Sequence, residues 1–308
     1  MNTITDYMIK EAVSHFSIGG EFVGALPFGE GHINDTFAVY FQLEDGKSIR
    51  YILQRINTKV FKKPVELMEN IYHITNYIKR AIIKAGGDPL RETLNLVPAA
   101  DGKCYYADSE GNYWRVYLFI ENATTFQLVR NPEDFYNSAR TFGRFQQLLI
   151  DYPAETLHVT IPDFHNTVDR FERFRDAVKN DICGRAKKAS GEIDFVLKHE
   201  ADTHALIDLQ KSGKLPLRVT HNDTKLNNVM IDDATGKGIC VIDLDTVMPG
   251  LAAYDFGDSI RFGATTAEED EPDLSKVAFD LSLYELYVRG YLEVAGKALT
   301  KCEIESLP

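Results

Sequence analysis

The chain has 308 residues, 44% hydrophobic and 26% charged, which suits a globular protein with a sizeable core. Acidic residues outnumber basic ones, 46 against 34, for a formal net charge of −12; with no Lys/Arg block or stripe, a nucleic-acid surface is not expected. No run approaches about eighteen apolar residues, and no basic region followed by an apolar run opens the chain, so neither a membrane span nor a signal peptide is expected. Cys104, Cys183, Cys240 and Cys302 lie far apart without paired spacing and read as reduced thiols of a cytoplasmic protein.

Ile4, Met8, Val13 and Phe16 share one helical face, and Gly19-Gly20 is expected to stop that helix. Phe22 to Tyr40 reads as two strands joined by the turn Gly29-Glu30-Gly31-His32-Ile33-Asn34. Arg50 to Ile56 alternates as a half-buried strand should. After Pro64, the residues Val65, Met68, Ile71, Tyr72, Ile78 and Ile82 form a core-facing helical stripe. Glu66 and Glu69 on that helix are candidate partners for a basic strand residue. Residues 94–98, 104–107 and 113–120 read as strands, with Asp108 to Asn112 turning between the last two. Beyond Glu121 short strands give way to long helices, so a lobe boundary is expected there, dividing 1–121 from 122–308.

In the second part Asn131 caps and Pro132 opens a helix that buries Phe135, Ala139, Phe142, Phe145, Leu148 and Leu149. Val168, Phe171, Phe174 and Val178 mark a second helix, and a third is expected from about Ile193 to Leu209. His165 reads as structural. Asp255 and Asp258 are placed to cap a helix and brace the loop before it. Glu268 to Asp273 is acidic and reads as solvated, and Leu281 to Val294 as an amphipathic helix. Thr300-x-x-Glu303 is a capping-box signature, yet the chain stops at Pro308, so a truncated chain is expected.

The most informative stretch is Thr220-His221-Asn222-Asp223-Thr224-Lys225-Leu226-Asn227-Asn228, followed by Ile242-Asp243-Leu244-Asp245. Its spacing, H-x-D-x-K-x-x-N, matches the catalytic loop of protein kinases. The apolar runs Val229–Ile231 and Gly238–Ile242 flank Asp232–Lys237 as a hairpin. Folded about its centre, that hairpin sets Asn228 opposite Asp243, with Cβ atoms about 5 Å apart. An amide oxygen and a carboxylate so placed suit Mg²⁺. Asp223 would then accept the proton of an attacking hydroxyl, and Lys225 would neutralise charge on the transferred phosphoryl group. Asn228 and Asp243 would hold Mg²⁺ against the phosphates of ATP. Glycines at Gly29 and Gly31 let backbone N–H groups approach phosphate oxygens. Kinases carry a phosphate-gripping lysine on the third strand; here Gln54 stands there, with Arg55 beside it either as a substitute or facing solvent. Backbone around Glu121 is the candidate support for adenine. His221 reads as a brace for the loop. Asp245 either hydrogen-bonds behind the metal or touches it directly, the first being favoured.

Gly29 to Asn34, Tyr51 to Gln54, Leu217 to Asn228, Ile242 to Gly250 and Asp255 to Gly263 together resemble the aminoglycoside phosphotransferase-like superfamily of protein-kinase-like enzymes. They are most similar to its N-acetylhexosamine 1-kinase branch, over nearly the whole chain. The resemblance implies an α+β fold of two lobes, a small antiparallel-sheet N-lobe for nucleotide and a mostly helical C-lobe for catalysis and substrate. It implies a kinase, taken as a monomer, that uses ATP and Mg²⁺ to phosphorylate the anomeric hydroxyl of N-acetylglucosamine or N-acetylgalactosamine. Asp223 carries over as base, Asn228 and Asp243 as metal ligands, and His32 and Phe262 as walls of the sugar pocket. The branch also has glutamine in place of the third-strand lysine. Its chains continue further, and their last helices add an Arg and a Tyr to the sugar site. The alternatives are a kinase for another small alcohol, of the aminoglycoside, choline or methylthioribose type, and a nucleotide-binding pseudokinase.

Overall fold

The computed structural model describes residues 4–29, 31, 33–265, 267 and 271–307. It opens with helix α1 (Asp6–Ser14), whose N-terminus is capped by the Thr5 hydroxyl. Strands β1 (Glu21–Pro27), β2 (Asp35–Gln42) and β3 (Ser48–Ile56) follow, then the long helix α2 (Pro64–Lys84) and strands β4 (Leu96–Val97), β5 (Tyr106–Ala107) and β6 (Tyr113–Leu118). The sheet is antiparallel in the order β1-β2-β3-β6-β4, with β5 pairing the other end of β6.

Helices cover both faces of this sheet. On one, Ile9, Ala12, Val13 and Phe16 pack against Val39, Phe41, Leu53, Trp114 and Val116. On the other, Leu67, Met68, Ile71, Ile74, Ile78 and Ile82 of α2 join Ile56 and Tyr117 in the larger core. Tyr72, expected in that stripe, is 48% exposed. Each fully buried side chain of this size contributes roughly 2 kcal/mol.

The second lobe is mostly helical. After β7 (Ala123–Thr124), helix α3 (Pro132–Leu148) starts as expected, with the Asn131 side chain accepting the Asp134 N–H at 3.1 Å. Helix α4 (Thr167–Asn180) comes next. The helix expected over 193–209 is broken into α5 (Ser190–Lys198) and α6 (Ala205–Lys211). Between them the His199 and Glu200 carbonyls accept N–H groups three residues on, which winds the chain too tightly for an α-helix. Strand β8 (Arg218–Thr220), the hairpin β9 (Val229–Asp232) and β10 (Gly238–Val241), β11 (Met248–Gly250), and helices α7 (Ala252–Gly263), α8 (Leu281–Ala295) and α9 (Lys301–Glu305) complete the chain. Helix α3 is the centre of this lobe: Phe135, Ala139, Phe142 and Phe145 meet Phe256, Tyr287 and Tyr291. No helix among the described residues is long and apolar enough to cross a membrane.

The capping box at Thr300 and Glu303 forms, and Glu303 also fastens α9 to the strand that leads into the catalytic loop. Its carboxylate takes two bonds from Arg218, at 2.8 and 3.0 Å, and is 3% exposed. Burial works to raise the Glu303 pKa, but the bonds from Arg218 and Thr300 outweigh it and hold it below the ordinary 4.5. The stabilisation is therefore complete above that value and fades as pH falls through the lowered one. Glu303→Gln is expected to cost about 3 kcal/mol near neutral pH. Denaturant titrations should find the gap to the wild type closing as pH falls below the ordinary 4.5.

Candidate active site

The loop that follows β8 is shaped by one buried carboxylate. Strand β8 pairs with β11, setting Thr220 opposite Met248, and the Thr220 hydroxyl donates to the Met248 carbonyl at 3.0 Å. A Cβ on Gly250 would lie 2.3 Å from that hydroxyl, so only glycine fits there. The chain then turns at Asn222, whose φ of 66° is left-handed. Asparagine tolerates this conformation, and its side chain donates to the Thr246 carbonyl at 2.9 Å. The turn leaves the His221 and Asn222 N–H groups pointing the same way. Both donate to Asp255, at 2.9 and 2.8 Å, and Gln146 adds a third bond at 2.9 Å. Asp255 is 1% exposed, and burial raises its pKa against the pull of these donors. One turn on, Asp258 accepts the Thr224 N–H at 2.8 Å and Ser259 donates to the Thr224 carbonyl at 2.7 Å. Both aspartates brace the loop as expected. Neither caps α7, whose N-cap residue is Leu251.

His221 joins this loop to the segment that follows β10. Its Nε2 lies 2.8 Å from the Ile242 carbonyl, which can only accept, so Nε2 carries the proton. Its Nδ1 accepts the Asp223 N–H at 3.3 Å. His165, 3.2 Å from the Asn222 carbonyl, supports the loop from the other side.

Asp223 thus emerges from a rigid turn, partly exposed. The Asn228 amide nitrogen donates to its carbonyl at 2.8 Å and to its carboxylate at 3.1 Å. That leaves the Asn228 oxygen as the end able to bind a cation. The Lys225 ammonium stands 3.5 Å from the Asp223 carboxylate. The hairpin register differs from the expected one. Val229 pairs with Val241, and the Ile242 N–H donates to the Asn228 carbonyl at 2.9 Å, so Ile242 and not Asp243 stands opposite Asn228. A bulge at Ile239 displaces the pairing toward the site. Asp243 follows in a left-handed conformation, φ 59° and ψ 61°. Its side chain is exposed to solvent, although protein encloses the volume around it. That enclosure, with the neighbouring Asp245 carboxylate, lifts its pKa to about 6; Asp223 adds to the rise.

This donor set fits a hard divalent cation. An amide oxygen and a carboxylate are the ligand types Mg²⁺ prefers, and the crowded negative charge is what such an ion would relieve. Among the described residues no group of three or more His, Cys, Asp or Glu forms a metal cluster.

Behind Asp243 lies a network the sequence reading missed. Asp245 is 3% exposed and accepts from Arg115 Nη1 and, at 2.6 Å, from Asn34. Arg115 also donates to Gln54 at 2.9 Å, and Gln54 to Thr36 at 2.9 Å. The signal was an arginine inside Tyr113-Trp114-Arg115-Val116-Tyr117: a charge on a strand buried on both faces must be paired.

The candidate nucleotide residues fare differently. Gly29 is left-handed, φ 80°, and both Gly29 and Gly31 have open space where a Cβ would be. Arg55 does not replace the missing lysine. It opposes Asp35 and Trp114 in the sheet, on the α1 face, and pairs with Asp35 at 2.9 Å, whereas Gln54 faces Arg115. Glu121 binds Arg50 through both carboxylate oxygens, at 2.8 and 2.6 Å. Its carbonyl accepts from Arg91 at 3.0 Å, which leaves one lone pair for a nucleobase. Glu66 and Glu69 pair with Lys63 and His158, not with a strand residue. Phe262 is on α7, one turn beyond Asp258 and on the same face. His32 lies outside the described residues, as do Glu268, Glu269 and Asp270 of the acidic stretch.

The fold has counterparts among known proteins. Residues 24–294 match the pattern of the phosphotransferase enzyme family. The chain belongs to that family. Solved structures with the same kinase-like fold include an aminoglycoside phosphotransferase from Alicyclobacillus acidocaldarius subsp. acidocaldarius, with a TM-score of 0.61 at 12% identity over 100% of this chain and 82% of that one. A microcompartment-associated aminopropanol kinase matches at 0.57 and 16%, over 98% and 85%. Amicoumacin kinase in complex with AMP-PNP and Ca²⁺ matches at 0.56 and 13%, over 96% and 79%. At such identities the likeness is one of fold. In this phosphotransferase, Asp255→Ala would leave two buried N–H groups of the loop without acceptors. It is expected to cost about 3 kcal/mol by denaturant unfolding and to lower activity with it.

Proposed function

We propose that this chain transfers the γ-phosphoryl group of ATP to the anomeric hydroxyl of an N-acetylhexosamine, with Mg²⁺ as the metal. The observation that carries the transfer is the meeting of Asp223, Asn228 and Asp243 at one end of a loop and a hairpin. The sugar rests on the sequence T-H-N-D-T-K-L-N-N with I-D-L-D-T-x-M-P-G, which is similar to the N-acetylhexosamine 1-kinase branch. The nucleotide lies between the lobes, whose boundary is at Glu121 and Asn122, with adenine against that backbone.

Asp223 is the proton acceptor. Its carboxylate is held toward the solvent side of a turn that Asp255 and His221 keep rigid, so little reorganisation is needed as the hydroxyl proton arrives. Lys225 places positive charge beside it, where charge gathers on the phosphoryl oxygens. Asn228 and Asp243 would hold Mg²⁺, which when bound neutralises phosphate charge. Phe262 is assigned to the wall of the sugar pocket, and the family resemblance assigns His32 there too. Gly29 and Gly31 offer backbone N–H groups to phosphate.

A second reading is a kinase for an amino alcohol. The aminopropanol and amicoumacin kinases share the fold, and the net charge of −12 suits a cationic acceptor. A panel of acceptors with ATP and Mg²⁺ separates the two. Formation of a hexosamine 1-phosphate is expected; turnover of amino alcohols with the hexosamines inert contradicts the sugar reading. Asp223→Asn should lower transfer at least about a thousandfold while AMP-PNP binds within about threefold of the wild type. Transfer at the wild-type rate would remove Asp223 as the base.

A further inference from the structure

Strand β3 carries Gln54 where protein kinases carry the lysine that grips the nucleotide phosphates. The positive charge comes instead from the neighbouring strand. Arg115 stands directly across from Gln54, is 1% exposed, and bonds both Gln54 and Asp245. Asp245 takes a second bond from Asn34, and the Asn34 oxygen accepts the Asn57 N–H at 2.9 Å. Asn34 lies at the foot of the glycine turn. Asp245, paired with this buried cation, therefore ties the segment after β10 to Asn34 ahead of β2.

The position of Asp243 gives this network a task. Asp243 is left-handed, a conformation that aspartate tolerates but that does not by itself set where the carboxylate points. Asp245, two residues on, is the neighbour held from three elements at once: its own loop, β6 and the turn before β2. Helix α2 supplies no competing acid, since Glu66 and Glu69 are paired elsewhere.

We propose, resting on the phosphotransferase reading above, that Arg115 is a positioning residue for the metal-bound nucleotide. Through Asp245, which Asn34 also holds, it fixes where Asp243 points. It thereby takes over the anchoring part of the third-strand lysine without being on that strand. The fork of its guanidinium suits the task, because it bonds a carboxylate and an amide oxygen together.

A buried ion pair can also be a mere packing element, and the test must separate the two. Replacing both partners with apolar residues of similar size, Arg115→Met with Asp245→Leu, removes the charges without leaving either unpaired, a change folded proteins often tolerate. The readouts are thermal melting, calorimetric affinity for AMP-PNP with Mg²⁺, and the Mg²⁺ concentration at half-saturation. None of these depends on which alcohol is the acceptor. The double variant is expected to melt near the wild type, yet to bind Mg²⁺ with AMP-PNP about 10- to 100-fold more weakly. A folded double variant with wild-type affinity and Mg²⁺ half-saturation overturns the proposal. If the double variant does not fold, Arg115→Lys decides the matter: it keeps the charge but loses the fork. A raised Mg²⁺ half-saturation supports the proposal and an unchanged one overturns it. A wild type that binds AMP-PNP but phosphorylates no hexosamine fails the acceptor reading alone.

Discussion

The carboxylate of Asp255 sets the shape of the site without facing a substrate. Two consecutive backbone N–H groups can point at one acceptor only if the chain turns sharply between them, and the left-handed Asn222 is that turn. Once His221 and Asn222 are held, the His221 ring is committed to the Ile242 carbonyl and the Asp223 N–H to the ring. Loop and hairpin are then parts of one hydrogen-bonded unit, buried from water, in which each unmet bond would carry a penalty of about 1–3 kcal/mol. The partly exposed groups at its edge, Asp223 and Lys225, inherit their positions from that unit.

Electrostatics gives the unit its direction. Asp223, Asp243 and Asp245 gather near one point, and the protein answers with Arg115 on the buried side and Lys225 on the open side. Asp245 is balanced by its own ion pair. Asp243 has no such pair among the described residues, and desolvation first, with the Asp245 carboxylate second, raises its pKa. A divalent cation that Asp243 and Asn228 would hold would supply the balancing charge from outside the chain. The same arrangement explains why a kinase-like site can dispense with a lysine on the third strand: a buried arginine on the next strand anchors it from behind.

Much of this was legible from the sequence, and the exceptions have physical causes. Asn131-Pro132 fixed the start of α3, and the spacing from His221 to Asn228 located the loop, because capping and loop chemistry are local. The break between α5 and α6 was hidden, since the short i to i+3 bonds that make it leave no apolar signature. The hairpin register differs by one residue because the turn is centred earlier than symmetry of the apolar runs suggests: Gly238 pairs with Ile231, and the bulge at Ile239 makes up only one of the two residues of offset. Arg55 and Gln54 could not be told apart in advance. Both faces of β3 are covered, one by α1 and the other by α2, so alternation alone cannot say which face looks into the site. Arg115 was overlooked for the same reason: its partner, Asp245, is distant in sequence and only the folded chain brings them together.

The central claim is that the side chains of Asn228 and Asp243, beside Asp223, close on a single cation. A crystal grown with AMP-PNP and Mn²⁺ in place of Mg²⁺ tests it most directly, because the anomalous signal of manganese locates the ion independently of the protein density. The account predicts an ion about 2.1 Å from both the Asn228 amide oxygen and the Asp243 carboxylate, with phosphate oxygens completing its shell. Manganese bound to the nucleotide with neither side chain in contact would contradict it.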